Sequence, residues 1–348
     1  MTFKEVKISR RVVLASTFLL TFFWGCRDLV VTPSAQLYFD GESNNVNVAD
    51  FEEAWSITNS VYPFFQFKHI NWDSIHSVYE PLAEKANGDE MFNVLFKMFT
   101  ELKDGHLEIV TQGGYAVTIY LPPRLKRDIS AFDPHVVRKY FTKELKLAGD
   151  GYMDYEILPE NIGYVRISAF SEGDWIFDFD KILDYLAGAK GLIIDVRQNG
   201  GGHGEQVNYV VSRFLSAPLP ANPMYLSNGQ PRSNPPIQPR GPYQYTKPVV
   251  VLINGASFSA TELFATMMSQ LSNVTLVGDT TGGGGGNQGF YSLPSGRQIR
   301  ISNLDIRRYD NQPIEWNGVP PNILVMQSAE DLKNGHDLQL ERAIALLK

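Results

Sequence analysis

The sequence predicts an α/β fold in which a mostly parallel sheet is covered by helices, with a smaller helical subdomain in front of it. Three observations carry this. From Asn161 onward, "IGYVRISAF", "GLIIDVR" and "KPVVVLIN" read as strands, and "FDFDKILDYLAGA", "GEQVNYVVSRFL" and "SATELFATMMSQL" read as the helices that alternate with them. Two of those strands are nearly continuous apolar runs, the pattern of parallel strands buried on both faces. Before them, "DEMFNVLFKMFTEL" places Phe92, Leu95, Phe96, Phe99 and Leu102 on one helical stripe, which reads as core.

The chain has 348 residues, 43% hydrophobic and 20% charged, enough for one large domain with a smaller one attached. A net charge of -7 gives no footprint for nucleic acid, so anionic polymers are excluded as partners. Six histidines and one cysteine, with no His-x-x-x-His and no cysteine cluster, predict neither a metal site nor a cofactor.

In chain order, residues 1–26 read as an export signal. Lys4, Lys7, Arg10 and Arg11 precede an apolar run from Val12 to Trp24 that is too short to span a bilayer comfortably. The run ends at Gly25-Cys26, which resembles a bacterial lipoprotein box, with Cys26 as the lipidation site and Phe23 an atypical residue for it. The expectation is an exported protein held to the cell envelope by an N-terminal lipid, with no internal disulfide. The alternative is a soluble secreted protein, or a buried free thiol.

Residues 27–49 are polar and aperiodic, a tether. Residues 50–106 form the helical subdomain, with Asp50 and Glu53 as a capping box at its start and a second helix after Asn71. Residues 107–160 read as connecting strands and loops, with one helix near Asp133 to Leu147. Residues 161–348 form the core.

Ligands of such sheets lie beyond the carboxyl ends of the strands. Two of those ends carry unusual chemistry. "RQNGGG", residues 197–202, follows a buried strand, and its glycines let backbone N–H groups approach an anionic oxygen; it matches neither a dinucleotide fingerprint nor a phosphate loop, and a flexible turn is the plainer reading. "INGASFSATELF", residues 253–264, passes from strand to helix through two serines. Ser259 with Glu262 is a capping box, but a residue there also faces roughly half a positive charge from free N–H groups, including that of Ala260, which suits a nucleophile.

At this point the sequence resembles a known family. "LKDGH", "GLIIDVRQNGGG", "PVVVLINGASFSATELF" and "IEWNGVPPNILV" occur in the order found in serine peptidases related to the tail-specific, or C-terminal processing, proteases and the tricorn protease core. The resemblance covers roughly residues 50–330 and implies a ClpP/crotonase-like core of repeated β-β-α units. It implies Ser259, not Ser257, as nucleophile, with the amides of Ala260 and Gly201 as oxyanion donors. Many relatives have proline at the position of Gly200, which makes Gly201 the better carry-over.

Relatives use either a lysine downstream of the serine or a histidine far upstream as base. No lysine lies between Lys247 and Lys333, so the resemblance implies His106 as general base, with Glu315 as its orienter. The tricorn-like loop has serine before its histidine where this chain has Gly105, and Asp104 or a direct Glu315 contact is the expected substitute. His203 is the rival base. Segment 107–160 is too short for the PDZ domain that many relatives carry.

The expected function is a serine-type endopeptidase or carboxyl-terminal processing peptidase acting on peptide or protein substrates through an acyl-enzyme on Ser259. The alternatives are a non-catalytic peptide-binding lipoprotein of the same fold and a hydrolase of a non-peptide acyl group. The glycines at 282–286 read as either mobility or close peptide approach.

Overall fold

The computed structural model describes residues 44–111 and 114–348. The expected export signal, Cys26 and residues 27–43 of the expected tether lie outside the described residues, while residues 44–49, also expected as tether, begin the first helix. Three helices open the described chain, α1 (Asn44–Val61), α2 (Trp72–Ala83) and α3 (Gly88–Thr100). The first starts ahead of Asp50, so Asp50 is no cap: its buried carboxylate accepts from Ser295 N and Oγ and pairs with buried Arg297. The aromatic stripe of α3 is core, as its spacing predicts, packing with Leu107, Ile109, Ile299 and Ile301.

Two short strands follow, β1 (Glu108–Val110) and β2 (Ala116–Thr118), then α4 (Pro123–Asp128) and α5 (Pro134–Arg138). The helix expected near Asp133 to Leu147 is thus a single turn or so. Asp133 caps it by accepting from the His135 amide, and the chain then leaves the helix to form an edge strand, β3 (Lys146–Ala148), on β4 (Met153–Leu158). Pairing with an existing sheet edge outcompetes local helix propensity here.

The core continues as β5 (Ile162–Ile167), α6 (Asp178–Leu186), β6 (Leu192–Asp195), α7 (Gly204–Ser212), β7 (Met224–Tyr225), β8 (Val249–Ile253), α8 (Ala260–Met268) and β9 (Val274–Gly278). It closes with β10 (Gly286–Ser292), β11 (Gln298–Ile306), β12 (Ile323–Leu324), α9 (Ala329–Lys333) and α10 (Leu338–Leu347). One sheet has the order β12-β9-β8-β6-β5-β4-β3, parallel from β12 to β5 and antiparallel beyond. The other runs β10-β11-β1-β2, with β7 on β11.

The apolar strands are buried on both faces. Val249, Val251 and Ile253 pack with α6, α7 and α8, whereas Val250 and Leu252 pack under α10. β6 and β8 therefore end side by side, and the turns that follow them, 197–202 and 254–259, meet at one place. β1 pairs with β11, which brings the loop ahead of β1, with His106, to the same place from far upstream.

Candidate active site

The turn after β8 is fastened from within. Ser257 Oγ donates to Val196 O at 2.8 Å, the Asn254 amide donates to Ser257 Oγ at 3.1 Å, and the Phe258 amide donates to Asn199 O at 3.0 Å. Ser257 is thereby a fully buried structural group, and the two serines separate by role in the geometry. Ser259 has φ 58 and ψ -123, a conformation that costs a non-glycine residue on the order of 1–3 kcal/mol and collects at functional sites. It turns the side chain out of the helix start, where Oγ lies 2.8 Å from His106 Nε2 across 153 residues of sequence.

Glu262 supplies the other half of the elbow. Its fully buried carboxylate accepts from the Ser259 amide at 3.0 Å, Thr281 Oγ1 at 2.6 Å, Gly283 N at 2.8 Å and Gly284 N at 2.7 Å. Burial still pushes its carboxyl above the ordinary range against those four donors. The capping and nucleophile readings of Ser259 are compatible in this one geometry, since its amide serves the cap and its hydroxyl faces the histidine.

His106 is 5% exposed, and its amide donates to Asp104 Oδ1 at 2.8 Å in a turn that fixes the loop. Its carbonyl accepts from Gln288 Nε2 on β10 at 2.8 Å, and its ring lies on Phe258 with centroids 4.8 Å apart. Burial holds its pKa below the ordinary histidine value, opposed by the Asp104 charge and reinforced by Lys68. The ring is therefore neutral near pH 7, the form that accepts a proton.

Of the two substitutes expected for the missing serine, Asp104 and a direct Glu315 contact, the geometry brings Asp104 to the ring. No hydrogen bond joins Glu315 to His106 among the described residues. Its Oε1 is instead 2.6 Å from Lys68 Nζ, and its Oε2 accepts from the Gly285 amide at 3.1 Å. The carboxylate that faces the outer ring nitrogen of His106 is Asp104, with Oδ1 at 4.0 Å from Nδ1. Lys68 lies between the two acidic side chains, in contact with Glu315 on one side and 3.9 Å from Asp104 Oδ2 on the other, which keeps Glu315 one residue removed from the ring.

Lys68 escaped the sequence reading. Its only signal is a single cation inside the aromatic run "YPFFQFKHI", residues 62–70. The structure buries its side chain completely. Nζ donates to Tyr62 Oη at 2.9 Å and to the carbonyls of Leu102 and Lys103, just past the end of α3, at 3.0 and 3.3 Å.

The glycine turn contributes differently from expectation as well. A Cβ on Gly201 would meet Ser259 Cβ at 2.7 Å and Ala260 N at 2.9 Å, so the turn abuts the serine because it has no side chain there. However, the Gly201 amide already donates to Asn199 Oδ1 at 2.9 Å. The amides of Gly200 and Ala260 have no acceptor among the described residues. His203 is exposed at the start of α7, its amide donates to Phe170 O at 2.7 Å, and its side chain makes no hydrogen bond or ion pair among the described residues.

Gly105 has a definite cause. A Cβ there would meet Phe258 Cζ at 2.8 Å and Pro122 Cγ at 2.7 Å, so the Phe258 ring fills the space that a serine would use. Gly282 and Gly284 make room for the same ring, at 2.7 and 2.2 Å from their absent Cβ positions. The run 282–286 is buried throughout, and its missing side chains admit groups of the chain itself and not an approaching peptide.

The trio Glu52, His76 and Glu80 on α1 and α2 could hold a metal ion by spacing, but His76 Nε2 bonds Glu52 while Nδ1 faces Glu80, so the ring divides its nitrogens between two carboxylates.

A model of peptidase family S41 matches residues 161–325, and one of the tricorn protease C1 domain matches residues 48–100. A solved structure of a candidate peptidase from Parabacteroides merdae is 32% identical, covers 88% of this chain and 97% of its own, and superposes with a TM-score of 0.75. The carboxy-terminal processing protease CtpA of Bacillus subtilis is 31% identical over 170 residues, 48% of this chain and 36% of that protein. Tricorn protease homolog 1 of Streptomyces coelicolor is 30% identical over 190 residues, 53% of this chain and 16% of that protein. The chain thus spans well under half the length of these two curated relatives. With a mixed α/β fold similar to that of the Parabacteroides structure along almost its whole length, the chain belongs to peptidase family S41.

Proposed function

We propose that this chain is a serine peptidase that cleaves peptide bonds through an acyl-enzyme on Ser259. The observation that carries the reading is the 2.8 Å contact between Ser259 Oγ and His106 Nε2, made by a strained serine at a helix start. In this mechanism Ser259 attacks the carbonyl carbon while neutral His106 takes its proton, and the imidazolium returns that proton to the leaving amine. The developing oxyanion is held by the Ala260 amide and by a second amide of the turn 200–201; losing one such donor costs on the order of 2.7–4 kcal/mol of barrier. Water then enters by the same route in reverse and frees the enzyme. Asp104 faces the imidazolium, and Glu315 acts at one remove, through Lys68.

Substrate class and address belong to the same proposal. The named processing proteases support a peptide or protein substrate cut near its carboxyl end. The basic, apolar and Gly25-Cys26 sequence of residues 1–26 supports export and lipid attachment at the cell envelope, with 27–49 as tether and 161–348 as the peptidase core. Among the described residues, no helix is long and apolar enough to cross a membrane.

A fluorophosphonate probe tests the reading. Wild type is expected to label covalently, and Ser259→Ala to resist. A folded wild type that is inert to the probe and to a peptide library overturns it and leaves the peptide-binding alternative. Labelling with hydrolysis of acyl esters but of no peptide leaves the acyl-hydrolase alternative.

A further inference from the structure

We propose that Lys68 is a positioning residue of the site, whose buried ammonium keeps Asp104 ionised opposite the free ring nitrogen of His106. The inference rests on the peptidase reading of Ser259 and His106. Three ionisable side chains, Lys68, Asp104 and Glu315, are buried together: Lys68 Nζ is 2.6 Å from Glu315 Oε1 and 3.9 Å from Asp104 Oδ2. Two carboxylates share one cation, in a space where an unpaired charge is costly. The trio reaches neutrality if one carboxyl takes a proton.

The surroundings decide which one does. Asp104 accepts the His106 amide, lies beside Lys68 and His106, and is held below the ordinary carboxylate value although burial works against it. Glu315 is pushed up to about 8 by burial and by the Asp104 charge, against the pull of Lys68. The proton therefore rests on Glu315, and Asp104 keeps its charge. Among the described residues, that charge is the only one of its sign within 4.0 Å of His106 Nδ1, which is buried and has no hydrogen-bond partner there.

Lys68 is fixed in this position from several sides. It bonds Tyr62 Oη and two carbonyls beyond the end of α3, where a helix presents its negative pole, and it lies 5.0 Å from the centre of the Trp316 ring. The ionisable groups around the imidazole are Asp104 on its own loop, Lys68 and Tyr62 from the segment between α1 and α2, Glu315 from the loop before β12, and Glu262 behind Ser259. Among the described residues, Lys68 is the one cation paired with the carboxylate that faces His106.

The test uses Lys68→Met/Glu315→Gln, which removes the ammonium together with the carboxyl that contacts it, so that no Glu315 proton or charge competes with Asp104, beside Lys68→Met. The readout is the fluorophosphonate labelling rate per folded molecule across pH. The double variant is expected to label about tenfold more slowly or worse near neutrality. Its rate should climb as pH rises through neutrality, because Asp104 must first lose a proton that Lys68 no longer repels. A purely structural lysine would lower only the yield of folded protein. A folded double variant with wild-type rate and pH profile overturns the positioning role while leaving the peptidase reading intact. A wild type that resists the probe overturns both. If neither variant folds, carboxyl NMR of the wild type decides: Asp104 ionised at neutral pH is expected, and a protonated Asp104 overturns the role.

Discussion

The groups that touch Ser259's own backbone are its neighbours in the chain, whereas the His106 ring, beyond its turn with Asp104, is packed and charged by segments far from it. The serine's elbow is built from Asn254, Ser257 and Glu262, with the strand ends beside it. The imidazole depends on Gln288 from β10, Phe258 from the elbow and the charge of Asp104, itself tied to Lys68. With Ser259 as the proposed nucleophile, the difference teaches that such a group can be prepared by a short motif, because the strain and the helix start are local. A base that must approach it from another layer needs partners that no short motif contains.

The two glycine-rich stretches make the same distinction. In the turn 200–202, absent side chains let the backbone abut Ser259, and the Gly200 amide has no acceptor among the described residues. In the run 282–286, absent side chains admit Phe258, Trp316, Glu315 and Ser302, and the amides of Gly283, Gly284 and Gly285 are spent on Glu262 and Glu315. One stretch faces chemistry and the other is scaffold.

The largest effect is expected on the nucleophile side. Ser259→Ala and Ser259→Gly should both lose about 10⁴-fold or more in hydrolysis and all labelling. Yet the glycine variant should be the more stable by about 1 kcal/mol in denaturant unfolding, because only it relieves the φ of 58. Equal stabilities would mean the elbow stores no strain.

On the base side, Asp104→Asn should lower the labelling rate by about 10²-fold with little change in KM, a smaller loss than removing the serine. In wild type, His106 sits below the usual histidine value, so labelling should hold its plateau as pH falls through 6.5 and decline only below it. A midpoint above 6.5 would contradict the burial of the ring.

Gly284→Ala probes the scaffold glycines. The new Cβ would fall 2.2 Å from Phe258 Cζ, so a loss of about 1–3 kcal/mol in unfolding free energy is expected, together with slower labelling as the ring shifts against His106. The same change at Gly200, where nothing lies within 4 Å of the Cβ position, should leave stability nearly unaltered.

The last effect is a slope and not a loss of activity. Glu315 has a folded value of about 8 against 4.5 for the free group, so the folded state holds the extra proton between those values. Its contribution is fully present below pH 4.5 and is lost as pH rises through about 8. Thermal melts of wild type should therefore show stability declining across that window, and Glu315→Gln should flatten the decline. An unchanged slope would place the proton elsewhere.

The sequence by itself determined the α/β core, the aromatic stripe of α3, the strand-to-helix turn with Ser259, and the exclusion of a lysine base downstream. Apolar periodicity, caps and glycine turns are written within a few residues of where they act, so linear text displays them. It also singled out His106, but only through the order of motifs in a resemblance. Tertiary structure alone decided that Asp104 and not Glu315 faces the imidazole, that Lys68 lies between the two carboxylates, and that Phe258 occupies the space above Gly105. Those outcomes depend on which groups are buried together, because the cost of a charge or a collision is set by neighbours in space that lie dozens to hundreds of residues apart in the chain.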